Sequence, residues 1–235
     1  MATRVTGGTA TFTAPAGTAT VDVTINIGSP GADPLVFIGI GYRNNQGNEV
    51  ASVTLDPAGE NISLTLGTIN QDFLYTVAAY GDPGSLSGSI TCRIGFTTGG
   101  ATAPAGLGFD VWEGKDPTYT ETAGVQNGSL ATNGTSSIVI DGASGRTAFS
   151  FHFLRSGVNA VTAENFDNIN SANNSDTLNW AVGDLAMTGA TEQMDVTWDN
   201  NGGNACYIVG GSFADAGGGG SIVPLLITHS RLRRA

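Results

Sequence analysis

The sequence predicts an all-β protein, an antiparallel β-sandwich of jelly-roll-like form with an extended C-terminal arm. β-Branched residues recur along the whole chain, apolar and polar residues alternate with a period of two, and turn-forming residues interrupt this pattern about every 8–12 residues. The chain holds 35 glycines among 235 residues, roughly twice the usual share. They cluster between the apolar runs, which favours many short strands joined by tight turns.

The individual strands follow from this pattern. Alternation is clearest over 21–27, where apolar residues share one face and polar residues the other. Residues 35–42 are almost all apolar, which predicts a strand buried on both faces. Residues 161–176 are ambiguous, and their Asn content favours a loop or a short turn. The remaining strands are predicted over 9–13, 50–55, 62–66, 73–80, 90–96, 107–112, 137–140, 147–154, 178–187, 194–198 and 206–213.

The predicted body covers residues 1–216 and contains a weak internal repeat. Three strands with a long second loop occur over 75–112 and again over 180–213. One large sandwich fits this pattern, and so do two stacked sandwiches made of residues 1–114 and 134–216.

Residues 217–235 are predicted to be a glycine linker followed by an apolar and basic arm. Burying its apolar side chains gains about as much free energy as ordering its backbone costs, so one arm binds weakly and many arms on a symmetric shell bind well. The predicted partner-binding residues of the arm are Ile222, Val223, Leu225, Leu226, Ile227, Arg231, Arg233 and Arg234.

The charge balance bears on the partners. The net charge is −11, and all 20 acidic residues precede Gly217. An acidic body disfavours nucleic acid as a partner because phosphates repel it. No apolar stretch approaches the ~20 residues of a membrane helix, and residues 1–4 run directly into an alternating segment, so we expect no membrane partner and no cleaved leader.

Catalytic groups are sparse. His152 alternates with phenylalanines in a strand pattern, which predicts a polar-face or hydrogen-bonded residue rather than a base, and His229 lies in the arm. Glycoside hydrolysis needs two facing carboxylates, for which Glu113 and Glu121 are the nearest candidates. We therefore expect no enzyme and no cofactor.

Cysteine and oxygen ligands indicate no metal. Cys92 and Cys206 lie within apolar strand patterns, which predicts two buried thiols, with a disulfide between strands as the alternative. The Asp/Asn-rich stretches 167–176 and 199–204 resemble calcium loops in composition, but these residues also favour turns, and we prefer that interpretation.

Carbohydrate binding is the main alternative to a structural role. It needs exposed aromatic side chains, and Trp112, Trp180, Trp198 and Tyr119 are available. Trp180 and Trp198 occur in strand patterns and are predicted core residues. Tyr119 is predicted to be exposed in a loop over 115–122.

Three segments together resemble the Gly/Thr-rich β-sandwich proteins that tailed bacteriophages place on their virions: residues 12–18, residues 35–42, and 180–183 with 208–213. The resemblance implies a capsid decoration (cement) or tail-associated protein on the virion surface, assembled in the host cytoplasm. It further implies a homo-oligomer such as a trimer, which binds the major capsid protein or another virion protein. A glycan is the alternative ligand.

Overall fold

The computed structural model describes residues 2–43, 49–71, 74–97, 101–155, 160–173, 178–199 and 201–216. Within these ranges the chain forms strands and no helix, so the prediction of an all-β antiparallel fold is confirmed. The strands are β1 (Thr3–Ala14), β2 (Ala19–Asn26), β3 (Leu35–Arg43), β4 (Val50–Leu55), β5 (Ile62–Ser63), β6 (Thr65–Gln71), β7 (Leu74–Gly81), β8 (Ser89–Phe96), β9 (Ala103–Glu113), β10 (Lys115–Thr132), β11 (Thr135–Asp141), β12 (Thr147–Arg155), β13 (Val161–Glu164), β14 (Asn168–Asn173), β15 (Leu178–Ala186), β16 (Thr191–Trp198) and β17 (Asn201–Asp215).

The strands form four sheets. Sheet A has the order β1-β9-β3-β7-β6, and sheet B has the order β2-β8-β4-β5. Sheet C has the order β10-β17-β12-β15-β14, and sheet D has the order β11-β16-β13. Among the described residues no helix has the length and apolar character that crossing a bilayer would require.

The sheets stack in the order B, A, C, D, with a hydrophobic core in each of the three gaps. One core lies between A and B, a second between A and C, and a third between C and D. Because successive side chains of a strand point to opposite faces, the strands of the two middle sheets serve two cores each. This explains why residues 35–42 are apolar throughout, and their predicted burial on both faces is confirmed.

Sheets A and B comprise the first half of the chain, and sheets C and D the second. The two halves repeat the same strand order: β1, β3, β7 and β9 correspond to β10, β12, β15 and β17, while β2, β4 and β8 correspond to β11, β13 and β16. The second half begins at Lys115, because residues 115–132 form its first strand. The second half shows no counterpart of β5 among the described residues.

The contacts between the halves are reciprocal. Strand β3 faces its equivalent β12. The contact of β9 with β15 has its equivalent in the contact of β17 with β7, and the contact of β1 with β14 has its equivalent in that of β10 with β6. This is the pattern of an approximate two-fold axis through β3 and β12, like that of a symmetric dimer interface.

The predicted loop over 161–176 is wrong where the structure describes it, because β13 and β14 occupy 161–164 and 168–173. Among the described residues both are edge strands, so one side of each pairs with a neighbour and the other side shows no partner strand there. Asn is tolerated there because part of the strand remains exposed. The predicted arm lies outside the described residues.

Candidate functional site

The distinctive region of the molecule is the interface between sheets A and C. On the sheet A side, glycines on neighbouring strands form a flat patch in which Gly39 is paired in register with Gly108, and Gly41 with Gly106. A Cβ atom at any of these positions would overlap a side chain of sheet C. Glycine is required here by the close approach of the two sheets.

Sheet C fills this patch with large side chains. Phe153 is paired in register with Trp180, and Phe151 with Val182. Phe151 and Phe153 contact the glycines of β3, while Trp180 and Val182 contact those of β9. The indole Nε1 of Trp180 also donates to the carbonyl oxygen of Leu107 at 3.1 Å. Trp180 is fully buried, so its predicted place in the core is confirmed.

One end of the interface holds an ionic cluster. The Arg4 guanidinium on β1 donates to Asp110 Oδ1 on β9 through Nη2 at 2.6 Å and Nε at 2.9 Å. Its Nε lies 3.6 Å from Oδ1 of Asp184 on β15, in the other half. Asn168 Nδ2 donates to the second oxygen of Asp184 at 3.1 Å. The Asp110 and Asp184 side chains are 0% and 1% exposed, against 24% for Arg4. One cation therefore serves two buried carboxyl groups.

Burial controls the protonation of this cluster. It raises the pKa of Asp110 to about 7, with Arg4 opposing the rise and Asp184 adding to it. Burial likewise raises the pKa of Asp184 to about 6, against the hydrogen bond from Asn168 and the charge of Arg4. The ionic cluster thus contains carboxyl groups that change charge near neutral pH.

The other end of the interface is aromatic. Tyr80 of β7, Tyr119 of β10 and Phe213 of β17 pack together, with ring centroids 4.1 Å apart for the two tyrosines and 4.8 Å apart for Tyr119 and Phe213. A Cβ at Gly211 would overlap the Tyr119 ring. The prediction that Tyr119 is exposed in a loop is wrong, since β10 carries it and its ring packs between the halves.

The two ends occupy equivalent positions. In sheet A, Phe37 lies in register between Tyr80 and Asp110. In sheet C, the equivalent Phe149 lies between Asp184 and Gly211. The rings of Phe37 and Phe149 stack at 5.6 Å near the pseudo-two-fold axis. Asp184 therefore stands where Tyr80 stands in the first half, and Asp110 where Gly211 stands in the second.

A groove of about 290 Å³ opens at the rim near the ionic cluster. Lys115 Nζ donates to Asp215 Oδ1 at 2.7 Å and to Thr147 Oγ1, and lies 4.9 Å from the centroid of the Trp112 ring. Burial lowers the pKa of Lys115. The lining includes Trp112, Lys115, Arg146, Thr147, Asp167 and Asp215. Trp112 therefore lies in this groove beside charged and polar side chains, with Lys115 over one face of its ring and Phe149 packed against it.

His152 lies in the core between sheets C and D. Its Nδ1 is 2.9 Å from Ser136 Oγ and its Nε2 is 3.0 Å from Ser150 Oγ. Burial lowers the pKa of His152 to about 3, so the ring is neutral. Trp198 Nε1 donates to the same Ser136 oxygen at 2.9 Å. Of the two alternatives predicted for His152, the hydrogen-bonded one is confirmed and the polar-face one is wrong, because the ring is fully buried. The predicted core position of Trp198 is confirmed.

The two cysteines lie in different cores. Cys92 belongs to the core between sheets A and B, and Cys206 to that between C and D. Both are free and buried, and burial raises the pKa of each thiol to about 12. The prediction of two buried thiols is confirmed, and the disulfide alternative is wrong.

The remaining candidates are dispersed. Glu113 on β9 accepts the Gly31 amide at 2.8 Å, whereas Glu121 lies on β10 in sheet C. Asp167 Oδ2 accepts the Ala186 amide at 2.7 Å. In the part of the chain that the structure describes, no group of three or more His, Cys, Asp or Glu is placed to hold a metal ion. The arm residues from Ile222 to Arg234, and His229, lie outside that part.

Sequence reasoning missed the ionic cluster and the glycine patch. A signal for the first exists, since Asp110 and Asp184 interrupt apolar runs at 105–112 and 180–187. An acidic residue in a strand that is buried on both faces needs a buried partner, because an unpaired buried charge is costly. Nothing local identifies Arg4 as that partner, because it lies 106 residues from Asp110 in the chain.

No protein-family model, curated protein or solved structure matches this chain. Its function is therefore inferred from its residues and their geometry.

Proposed function

We propose that this protein is a bacteriophage virion structural protein, a capsid decoration (cement) protein that acts through protein–protein contacts as a homo-oligomer. Its acidic double sandwich would face solvent, and its C-terminal arm would join it to a neighbouring protein. Each half would be a jelly roll, since the first strand lies beside the last in the same sheet in both.

One observation carries this proposal: the chemically reactive side chains are used to hold the layers together. His152, Cys92, Cys206 and Asp110 are all 0% exposed. Cys92 lies in the core between sheets A and B, Cys206 and His152 lie between C and D, and Asp110 belongs to the ionic cluster between the halves. A protein whose reactive side chains are buried in contacts between its own sheets fits a structural role. The resemblance to phage virion proteins supplies the particle and the partner.

Particle composition and rebinding test the proposal. A mass-spectrometric inventory of purified particles should contain the chain in a symmetric copy number. Capsids that lack it should bind the full-length protein, and should bind protein truncated at Gly217 more weakly. Its absence from particles would overturn the virion role, and equal binding of the two forms would overturn the role of the arm on the capsid.

A carbohydrate-binding or host-adhesion module is the second candidate, and the rim groove favours it. Trp112 lies there with Lys115, Arg146 and Asp167, which combine an aromatic face with polar groups. A glycan array would show binding by the native protein that Trp112→Ala abolishes, with Trp198→Phe as a control on the buried tryptophan. Binding that survives Trp112→Ala would exclude this groove.

A further inference from the structure

The outer edges of sheets B and D differ. In sheet B, β5 covers the free edge of β4 through pairing of Thr54 with Ser63 and of Leu55 with Ile62. In sheet D, the equivalent strand β13 pairs only with β16 within the described residues. An uncovered edge presents backbone donors and acceptors to any further strand.

A cavity lies beside this edge. It has a volume of about 350 Å³ and opens between the edge of sheet C and the edge of sheet D. Its walls come from β14, from the start of β13 and from the end of β16, including Ser171, Ala172, Val161 and Trp198. A strand added to β13 would place its side chains alternately into this cavity.

The outer sheet beside the cavity is acidic. Strands β11, β13 and β16 carry Asp141, Glu164, Glu192 and Asp195 and contain no Lys or Arg. Sheet B is balanced instead, because Arg93 binds Asp22 with two bonds of 2.7 Å. Sheet D is therefore the outer face that best matches a basic partner.

The chain itself contains such a partner in residues 222–234. An apolar run of strand-forming residues, Ile222 to Ile227, is followed by Arg231, Arg233 and Arg234. Pro224 in this run lacks an amide donor, which an added edge strand tolerates on its outer side.

Reach favours a second copy as the source of this segment. Asn173 at the cavity lies in one cross-strand row with Asn179, Leu154 and Cys206. From Cys206 to Ala216 the strand runs ten residues away from that row, about 33 Å at ~3.3 Å per residue. Ile222 follows Ala216 by six residues and reaches at most about 20 Å. Within one chain Ile222 therefore cannot reach the cavity, and Ile227, eleven residues after Ala216, reaches it only when the segment is almost fully extended. A second copy can supply the whole apolar run without this constraint.

We infer that the C-terminal segment of one copy docks on sheet D of a second copy, with Ile222–Ile227 as an added strand on β13 and the arginines on the acidic face. The contact is head-to-tail, so its repetition closes a ring such as a trimer or extends a chain. This deepens the proposed function by naming a partner of the arm.

Complementation between two full-length variants tests the inference. Leu225→Asp with Leu226→Asp disables the arm and leaves the cavity intact. Ser171→Arg fills the cavity with a like charge and leaves the arm intact, and Ser171 is exposed, so folding should be retained. Ser63→Arg, at an exposed position of β5 on the edge of sheet B, is the control for an added surface charge on the first half.

Sedimentation equilibrium should show that the native chain and Ser63→Arg self-associate. Each of the other variants alone should associate at least about tenfold more weakly, since losing one large apolar contact has an effect of that order. A mixture of the two should form heterodimers, because one retains the arm and the other the cavity. Raised salt should weaken all association that persists.

A native chain that stays monomeric, or a mixture that stays unassociated, would overturn the inference. Association of Ser171→Arg equal to that of Ser63→Arg would place the arm elsewhere. These measurements use the purified chain alone, so their failure leaves the virion role standing, and absence of the chain from particles would leave the arm contact standing.

Discussion

The two ends of the interface between sheets A and C occupy equivalent positions and are closed in opposite ways. At one end Arg4, Asp110 and Asp184 form a buried ionic cluster. At the other, Tyr80 and Tyr119 pack against Phe213. The backbone is repeated while the side chains are not.

The difference shows that a repeated fold leaves the chemistry of its interface open. Aromatic packing stabilises by removing apolar area from water and is insensitive to pH. A buried ion pair specifies how the two halves align, because each charged group needs its oppositely charged partner nearby. The cost of removing both charges from water offsets much of the energy of the pair. The ionic end therefore contributes more to the correct alignment of the halves than to their net stability.

The largest effect is expected from filling the glycine patch between the two ends. Gly39→Val should lower the free energy of unfolding by about 3 kcal/mol, because the added side chain overlaps Phe151. Valine favours strands, so propensity alone predicts the opposite sign. Guanidinium unfolding measures the change. Gly189→Ala, whose Cβ would approach nothing closer than 3.6 Å, is the control and should change the free energy of unfolding by no more than about 0.5 kcal/mol. If Gly39→Val and Gly189→Ala had equal effects, the close approach of the sheets would be unimportant for stability.

Removing the cation breaks the ionic end alone. Arg4→Gln leaves two buried carboxyl groups without their shared partner and should cost about 3 kcal/mol at pH 8. The loss should shrink at pH 5, where those groups are protonated. Unfolding curves at both pH values measure this. The control is Arg93→Gln, which breaks the exposed pair with Asp22 and should leave the midpoint of unfolding unchanged. If Arg4→Gln lost the same stability at both pH values, Arg4 would not be acting through the charges of the two carboxyl groups.

Truncating the aromatic end gives the matching comparison. Tyr119→Ala should cost about 2 kcal/mol, less than a fully buried ring because Tyr119 is partly exposed. The loss should be equal at pH 8 and pH 5. Tyr119→Phe keeps the ring and should retain most of the stability. A loss that depends on pH as strongly as that of Arg4→Gln would show that the two ends are not distinct.

The ionic end should also make the stability of the native protein depend on pH. The pKa values of Asp110 and Asp184, about 7 and about 6, exceed the ~3.9 of an unfolded Asp. The folded state then binds more protons than the unfolded state between pH 4 and 7, so stability falls as pH rises. We expect the free energy of unfolding to rise by about 2–4 kcal/mol from pH 8 to pH 5, since one unit of pKa difference corresponds to about 1.4 kcal/mol. The two acids should titrate as a coupled pair, because they share one arginine.

The double variant Asp110→Asn with Asp184→Asn should flatten this dependence. Asp22, Asp116 and Asp215 have lowered pKa values, through hydrogen bonds from Arg93, Thr118 and Lys115. Their contribution is lost only below about pH 4. If the native protein became less stable as the pH was lowered from 8 to 5, the raised pKa values of Asp110 and Asp184 would be contradicted.

The prediction of strands and of buried positions succeeded where neighbouring residues in the sequence determine the burial of a side chain. The two-sided burial of residues 35–42, and the core positions of Trp180 and Trp198, followed from local pattern. It failed at 115–122 and, within the predicted loop over 161–176, at 161–164 and 168–173, whose polar residues indicate loops. Strands β10, β13 and β14 form there because β17, β16 and β15 supply backbone partners from distant parts of the chain.

By itself the sequence determined the all-β class, most strands and the repeat of the strand series, because alternation and turn residues act over a few neighbours. The tertiary structure decided that sheet A packs on sheet C, where the glycine patch meets Phe151 and Trp180, and that Arg4 joins Asp110 to Asp184. Alternation specifies that a strand has a face to bury. It does not specify which sheet will cover that face, since the choice depends on shape and charge brought together from residues far apart in the chain.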